Sequence, residues 1–143
     1  SRTLEQTGVY QAKSVSYRDM DASALGFEKG ATPLLDLPIE LIMPVTMEGV
    51  PAVRLSTGAN VVSGDAYNEI DADMVDMETF AILRACHRFD APLLALRGIS
   101  DGKDELDKLE DWTEYLHIID VKLAETIDIL SENILSDSLV FNN

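Results

Sequence analysis

From Val9 to Tyr17 apolar and polar residues alternate loosely, with Val9, Ala12, Val15 and Tyr17 on the apolar side, a pattern that predicts a strand. Arg18-Asp19-Met20-Asp21 then opens a polar loop that runs to about Gly30. Pro33, Pro38, Pro44 and Pro51 would each interrupt a helix, because proline lacks the amide donor, so residues 39–43 and 52–55 are expected as short extended pieces. Asn60-Val61-Val62-Ser63 is a short β-branched run stopped by Gly64-Asp65, and it reads as a strand buried on both faces.

Residues 76–89 predict a helix. Asp76 and Glu78 fall in its first turn and Arg84, His87 and Arg88 in its last, each sign complementing the helix dipole. Met77, Phe80, Ala81, Ile82, Leu83, Ala85, Cys86 and Phe89 make most of its circumference apolar, as expected of a helix packed on a sheet. Asp90-Ala91-Pro92 ends it, and Leu93-Leu94-Ala95-Leu96 reads as a central parallel strand, giving a strand-helix-strand unit. After an acidic loop through Asp111, apolar residues recur at Trp112, Leu116, Ile119, Leu123, Ile127, Leu130 and Ile134. That three-and-four spacing predicts one long amphipathic helix over a face of the sheet. The sum is an α/β fold: a mixed, largely parallel central sheet flanked by helices, in one domain over residues 1–143, with no repeat, low-complexity tract or long linker.

Composition narrows the partners. At 143 residues and 46% hydrophobic the chain can bury one core. Eleven basic against 26 acidic residues leave a net charge of -15, which repels a phosphate backbone and anionic lipid, so neither nucleic acid nor a membrane is an expected partner. The lone Cys86 excludes an internal disulfide, no Cys/His spacing suits zinc, and a reducing, cytoplasmic setting is expected. No run approaches the roughly 18 apolar residues of a membrane span, and the first seven residues lack a signal-peptide apolar region. The chain starts without methionine, as a processed product or the ordered part of a longer polypeptide would.

Ligands of open α/β sheets bind beyond the carboxyl ends of strands, which directs attention to Ser63-Gly64-Asp65-Ala66-Tyr67-Asn68 and to Arg97-Gly98-Ile99-Ser100-Asp101. Glu78 is expected one turn into the helix between them, at the same sheet edge. Val61-Val62-Ser63-Gly64-Asp65, then Val75-Asp76-Met77-Glu78-Thr79, then Leu96-Arg97-Gly98-Ile99-Ser100-Asp101, taken in order and spacing, resembles the methylthioadenosine/S-adenosylhomocysteine nucleosidases of the nucleoside phosphorylase family. Tyr17-Arg18-Asp19, Gly26-Phe27-Glu28 and Pro33 also resemble the family's loop before its substrate pocket.

The resemblance implies hydrolysis of the N-glycosidic bond of a purine nucleoside, without cofactor or metal. It implies that Asp101 is the general acid toward N7 of the purine, oriented by Ser100 and backed by Arg97. Glu78 would grip the ribose hydroxyls in the substrate-binding segment Asp76-Met77-Glu78, with Met77 under the sugar. Tyr67 and Asn68 would stack on and read the base, and Trp112 and Tyr115 would wall the 5′ substituent. Leu25, Phe27 and Pro33 would complete that wall from a second subunit of a homodimer. The family's amino-terminal half, with the glutamate that activates water, has no counterpart before Ser1, so the chain is expected to be the carboxyl-terminal part of that fold.

Elementary chemistry agrees with two of these roles. Cleavage of an N-glycosidic bond builds positive charge on the sugar, which a carboxylate at 78 stabilises more in the transition state than in the ground state. The leaving base needs a proton, and a free Asp with a pKa of about 3.9 holds almost none at neutral pH, so Asp101 is expected to be raised by burial or by neighbouring carboxylates. Plainer readings stand beside them. Asp65, Glu78 and Asp101 are residue types common at turns and helix starts, and Tyr67 and Trp112 are types common at core edges. Adjacent helical positions keep Cys86 and His87 from forming a nucleophile pair, and His87 and His117 form no metal site. The run 104–107 reads as a solvated acidic loop or a lid. A phosphorylase is the alternative reaction, disfavoured by the lack of an arginine between Asp101 and Leu116; a noncatalytic nucleoside-binding module is the alternative of another class.

Overall fold

The computed structural model describes residues 1, 3–102 and 108–142, with the side chains at 111 and 112 outside that description. Strand β1, Val9–Tyr17, is the spine of the sheet. Along one side it pairs in parallel with β4, Ala52–Thr57, which pairs in parallel with β5, Met74–Asp76. Along its other side run two antiparallel partners: β2, Glu40–Ile42, beside residues 14–16, and β6, Leu96–Gly98, beside residues 9–11. The sheet is mixed, and its longest pairing, β1 with β4, is parallel. A register shift between Ala12 and Ser14 explains the loose alternation of β1, since the extra residue at Lys13 leaves both Gln11-Ala12 and Ser14-Val15 buried.

Helix α1, Thr79–Arg88, contacts β1 and β4, and α3, Leu116–Leu135, contacts β1 and β6. Between them in sequence lies the short α2, Leu109–Thr113. A two-stranded antiparallel ribbon joins β3, Val45–Thr46, to β7, Val140–Phe141. Ala12, Val15, Leu41, Met43, Leu55, Met74, Leu83, Ala95 and Ile99 form the core cluster. Gly98 is there because α3 comes close: a Cβ on it would stand 2.1 Å from Ile119 Cγ2.

Four expectations are corrected. Residues 60–63 are not a strand. All three parallel strands end in register at Tyr17, Thr57 and Asp76, and the chain leaves the sheet at Gly58, so Val61 is 73% exposed and only Val62 is buried. The segment read as the first turn of a helix at 76 is instead strand β5, and α1 starts at Thr79, whose amide donates to the Asp76 carboxylate at 3.0 Å. No acidic side chain lies in the first turn of α1, and the helix buries only Thr79 and Leu83 while Ile82 stays exposed. The strand expected at 93–96 begins at Leu96 and runs antiparallel to β1, so β5, α1 and β6 do not make a parallel crossover unit. The long helix expected from 112 is broken at Glu114 and Tyr115 into α2 and α3. Among the described residues no helix is long and apolar enough to cross a membrane.

Candidate active site

Where β1, β4 and β5 stop together, their connecting segments meet the chain leaving β6 around a cavity of about 580 Å3. Arg18 follows β1, Asn60, Val61 and Val62 follow β4, and Asp76, Met77 and Glu78 close β5. Arg97, Ser100 and Asp101 come from β6 and beyond, Tyr67 from the 3₁₀ turn Gly64–Glu69, and Leu109 from the start of α2. That volume lies within the roughly 300–1,000 Å3 of small-molecule sites.

Asp101 is held by donors on both oxygens. Ser100 Oγ donates to Oδ1 at 2.9 Å and Tyr67 Oη donates to Oδ2 at 2.8 Å. The Ser1 main-chain nitrogen donates to Tyr67 Oη and to the Asp101 carbonyl, each at 3.0 Å. These partners are hydrogen-bond donors, and the Asp101 side chain is 18% exposed. Burial first, then the hydrogen bond to Asp101 and its charge, push the Tyr67 phenol above its ordinary value, while Arg18 pulls the other way.

Asp76 organises the wall opposite. Its carboxylate accepts from Thr57 Oγ1 at 2.6 Å, from the Thr79 amide and hydroxyl, and from Arg97 through Nη2 at 2.6 Å and Nε at 3.1 Å. Burial pushes this carboxyl up, but the hydrogen bonds from Thr57, Thr79 and Arg97, with the Arg97 charge, outweigh it and hold Asp76 below the usual carboxylate range. Arg97 is therefore directed at Asp76 and Thr79 rather than set behind Asp101. Fixing Asp76 fixes the next two residues: Met77 and Glu78 are exposed at the cavity rim, and Glu78 stands immediately before α1 rather than one turn inside it.

Asp101, Ser100, Arg97, Asp76, Met77, Glu78 and Tyr67 thus share one cavity. Asn68 does not line it; its side chain is exposed, with its amide 3.4 Å from Asp65 Oδ1. Leu25, Phe27 and Pro33 lie in the loop after β1, away from the lining, with Leu25 76% exposed at the end of a 3₁₀ turn. Tyr115 caps α3 and is half-buried. The side chain of Trp112 and the acidic run 104–107 lie outside the described residues. His87 and His117 are exposed, and among the described residues no cluster of metal-ligand type exists.

Arg18 is the residue that sequence reasoning placed only in a loop. Its guanidinium donates to the carbonyls of Ser56 at 2.6 Å, Asp76 at 3.2 Å and Asn60 at 2.9 Å, tying the ends of the parallel strands together. It lies against Gly58, where a Cβ would stand 2.4 Å from Arg18 Nε, so any side chain there would have to displace Arg18. The available signal was its position, a cation directly after the spine strand in an acidic chain.

The family model described as "Phosphorylase superfamily" matches residues 44–131. A 5′-methylthioadenosine/S-adenosylhomocysteine nucleosidase of Halalkalibacterium halodurans is 28% identical over 130 residues, covering 79% of this chain and 55% of that protein. A protein of the same name from Haemophilus influenzae is 32% identical over 104 residues, covering 62% of this chain and 45% of that one. The chain spans about half the length of the curated relatives it matches. Among solved structures, a futalosine hydrolase mutant of Helicobacter pylori superposes with a TM-score of 0.70 at 18% identity, covering 95% of this chain and 64% of that chain. The nucleosidase of Colwellia psychrerythraea in complex with adenine superposes with a TM-score of 0.68 at 22% identity, covering 98% and 64%. At these identities the likeness is one of fold.

Proposed function

The chain belongs to the phosphorylase superfamily, and from that premise we propose that it forms the base- and ribose-binding part of an enzyme that hydrolyses 5′-methylthioadenosine or S-adenosylhomocysteine and releases adenine. The observation that carries the proposal is that Asp101 and Glu78, far apart in sequence, line one cavity. Asp101 gives its proton to N7 of the purine as the bond from the anomeric carbon to N9 breaks and its electron pair passes to the base. Glu78 faces the ribose, where its charge stabilises the developing cation. Water adds its hydroxyl to the anomeric carbon, and its remaining proton returns by way of solvent to Asp101.

The relatives named as nucleosidases support water as the nucleophile. Phosphate is the second reading, and one observation favours it: Arg18 lines the cavity and each of its hydrogen bonds ends on a neutral carbonyl. Tyr67 walls the base, and Leu25, Phe27 and Pro33 meet a second subunit of a cytoplasmic homodimer, a reading supported by the exposure of Leu25 and Phe27. Adenine release by the native polypeptide, followed with and without phosphate, decides among these. Release in phosphate-free buffer supports hydrolysis, strict phosphate dependence replaces it with phosphorolysis, and nucleoside binding with no turnover in either buffer replaces both with a binding module.

A further inference from the structure

Tyr67 has a second task that its ring alone does not explain. Its oxygen accepts from the Ser1 nitrogen at 3.0 Å, so its own proton is directed to the other neighbour, Asp101 Oδ2, at 2.8 Å. Ser100 Oγ donates to Oδ1 of the same carboxyl group at 2.9 Å. Two donors on opposite oxygens fix the plane of a carboxyl group, whereas one leaves it free to swing about the other. Tyr67 is 7% exposed, so water is a poor substitute for its hydroxyl.

We propose that the Tyr67 hydroxyl is a positioning group for Asp101, clamping the carboxyl from the side opposite Ser100. The role rests on the assignment of Asp101 as general acid. Other charged groups bear on the pair. Arg18 acts on Tyr67, and Glu78, Lys108 and the Asp76–Arg97 pair share the cavity. Tyr67→Phe leaves these side chains in place and, besides the donor to Asp101, removes only the acceptor of the Ser1 nitrogen.

The substitution keeps the ring and removes only the hydroxyl. Activity needs the proton on Asp101 and falls as pH rises through its titration. A donor to the ionised form shifts that fall to lower pH, so removing it shifts the fall to higher pH. A hydrogen bond to a charged group corresponds to roughly one to two pH units in the alkaline limb of kcat/KM. The expected profile is a limb moved upward by about that amount, with KM changed less than about twofold and kcat on the acid plateau down several-fold as orientation is lost. A limb that stays in place, or moves downward, overturns the proposal.

A second readout needs no turnover: the pH at which the Asp101 carboxyl carbon titrates by NMR in the ligand-free native polypeptide. It rises in Tyr67→Phe if the clamp exists and stays fixed if it does not, whether or not adenine is released. Absence of adenine release by the unaltered protein sinks the nucleosidase reading separately. Should the Phe variant fold poorly, 3-fluorotyrosine at position 67 retains the shape with a stronger donor, and the titration then moves to lower pH; no movement refutes the clamp.

Discussion

Asp76→Asn tests whether one carboxylate holds the wall of the cavity. The amide oxygen of the substituted side chain can replace Oδ2, and its amide nitrogen then faces Thr57 Oγ1, a hydroxyl that can turn to accept. What the substitution removes is charge, and the group left without its counterion is Arg97, bonded to Asp76 at 2.6 and 3.1 Å. Breaking a buried pair costs about 3–5 kcal/mol. The side chains here are 5% exposed for Asp76 but 31% for Arg97, so water reaches the cation and the cost falls to about 2–3 kcal/mol. With a urea m-value of about 2 kcal/mol/M, the midpoint of unfolding drops by roughly 1–1.5 M at neutral pH without a change in m. The sign with pH follows from the direction of the shift. Asp76 is held below its ordinary value, so its contribution is full above the unfolded value of about 3.9 and is lost as pH falls through the folded one. The difference between the two proteins therefore narrows below about pH 4. Asp76→Asn with Arg97→Met recovers part of the loss, because no cation is stranded. A midpoint within about 0.3 M of the parent, or strictly additive losses in the double variant, would refute the reasoning.

Three further outcomes follow from the same geometry. Gly98→Ala drives a methyl group into Ile119 Cγ2 at 2.1 Å and lowers thermal stability by about 1–3 kcal/mol, whereas an unchanged melting temperature would mean that α3 does not press on β6. Gln11, 2% exposed, accepts from the Met47 amide and donates to the carbonyls of Met47 and Val50. Gln11→Leu strands all three, costs about 2–4 kcal/mol and speeds hydrogen exchange at the Met47 amide; unaltered exchange contradicts this. Glu78 is exposed and makes no cap hydrogen bond. Glu78→Gln therefore shifts stability by less than about 0.5 kcal/mol while lowering kcat/KM by roughly 10²-fold or more, and equal kcat/KM would remove Glu78 from the ribose.

The bounds of β1 were legible because nine residues of extended chain carry enough alternation to survive a one-residue bulge at Lys13. Short strands were not. Met74–Asp76 is three residues long and runs straight into a helix, so periodicity merged the two, and the β-branched pair Val61-Val62 mimicked a strand that had ended at Thr57. The direction of β6 was invisible because residue pattern encodes which face is buried, not which neighbour is parallel. The cavity lining was largely legible through the order of three short strings. Their internal wiring was not: Arg97 pairs with Asp76, and Tyr67 with Asp101, through side-chain directions that only the folded chain supplies. Arg18 escaped because its partners are carbonyls, which leave no mark on the sequence.

The measurement that bears most directly on the paired carboxyl groups is adenine release by the Asp101→Asn variant of the native polypeptide, set against its affinity for a nucleoside substrate. Loss of the proton donor lowers kcat by at least about 10²-fold while the dissociation constant stays within a few-fold of the parent's. Turnover near the parent's rate would contradict the account, since the base would then leave without a proton from position 101.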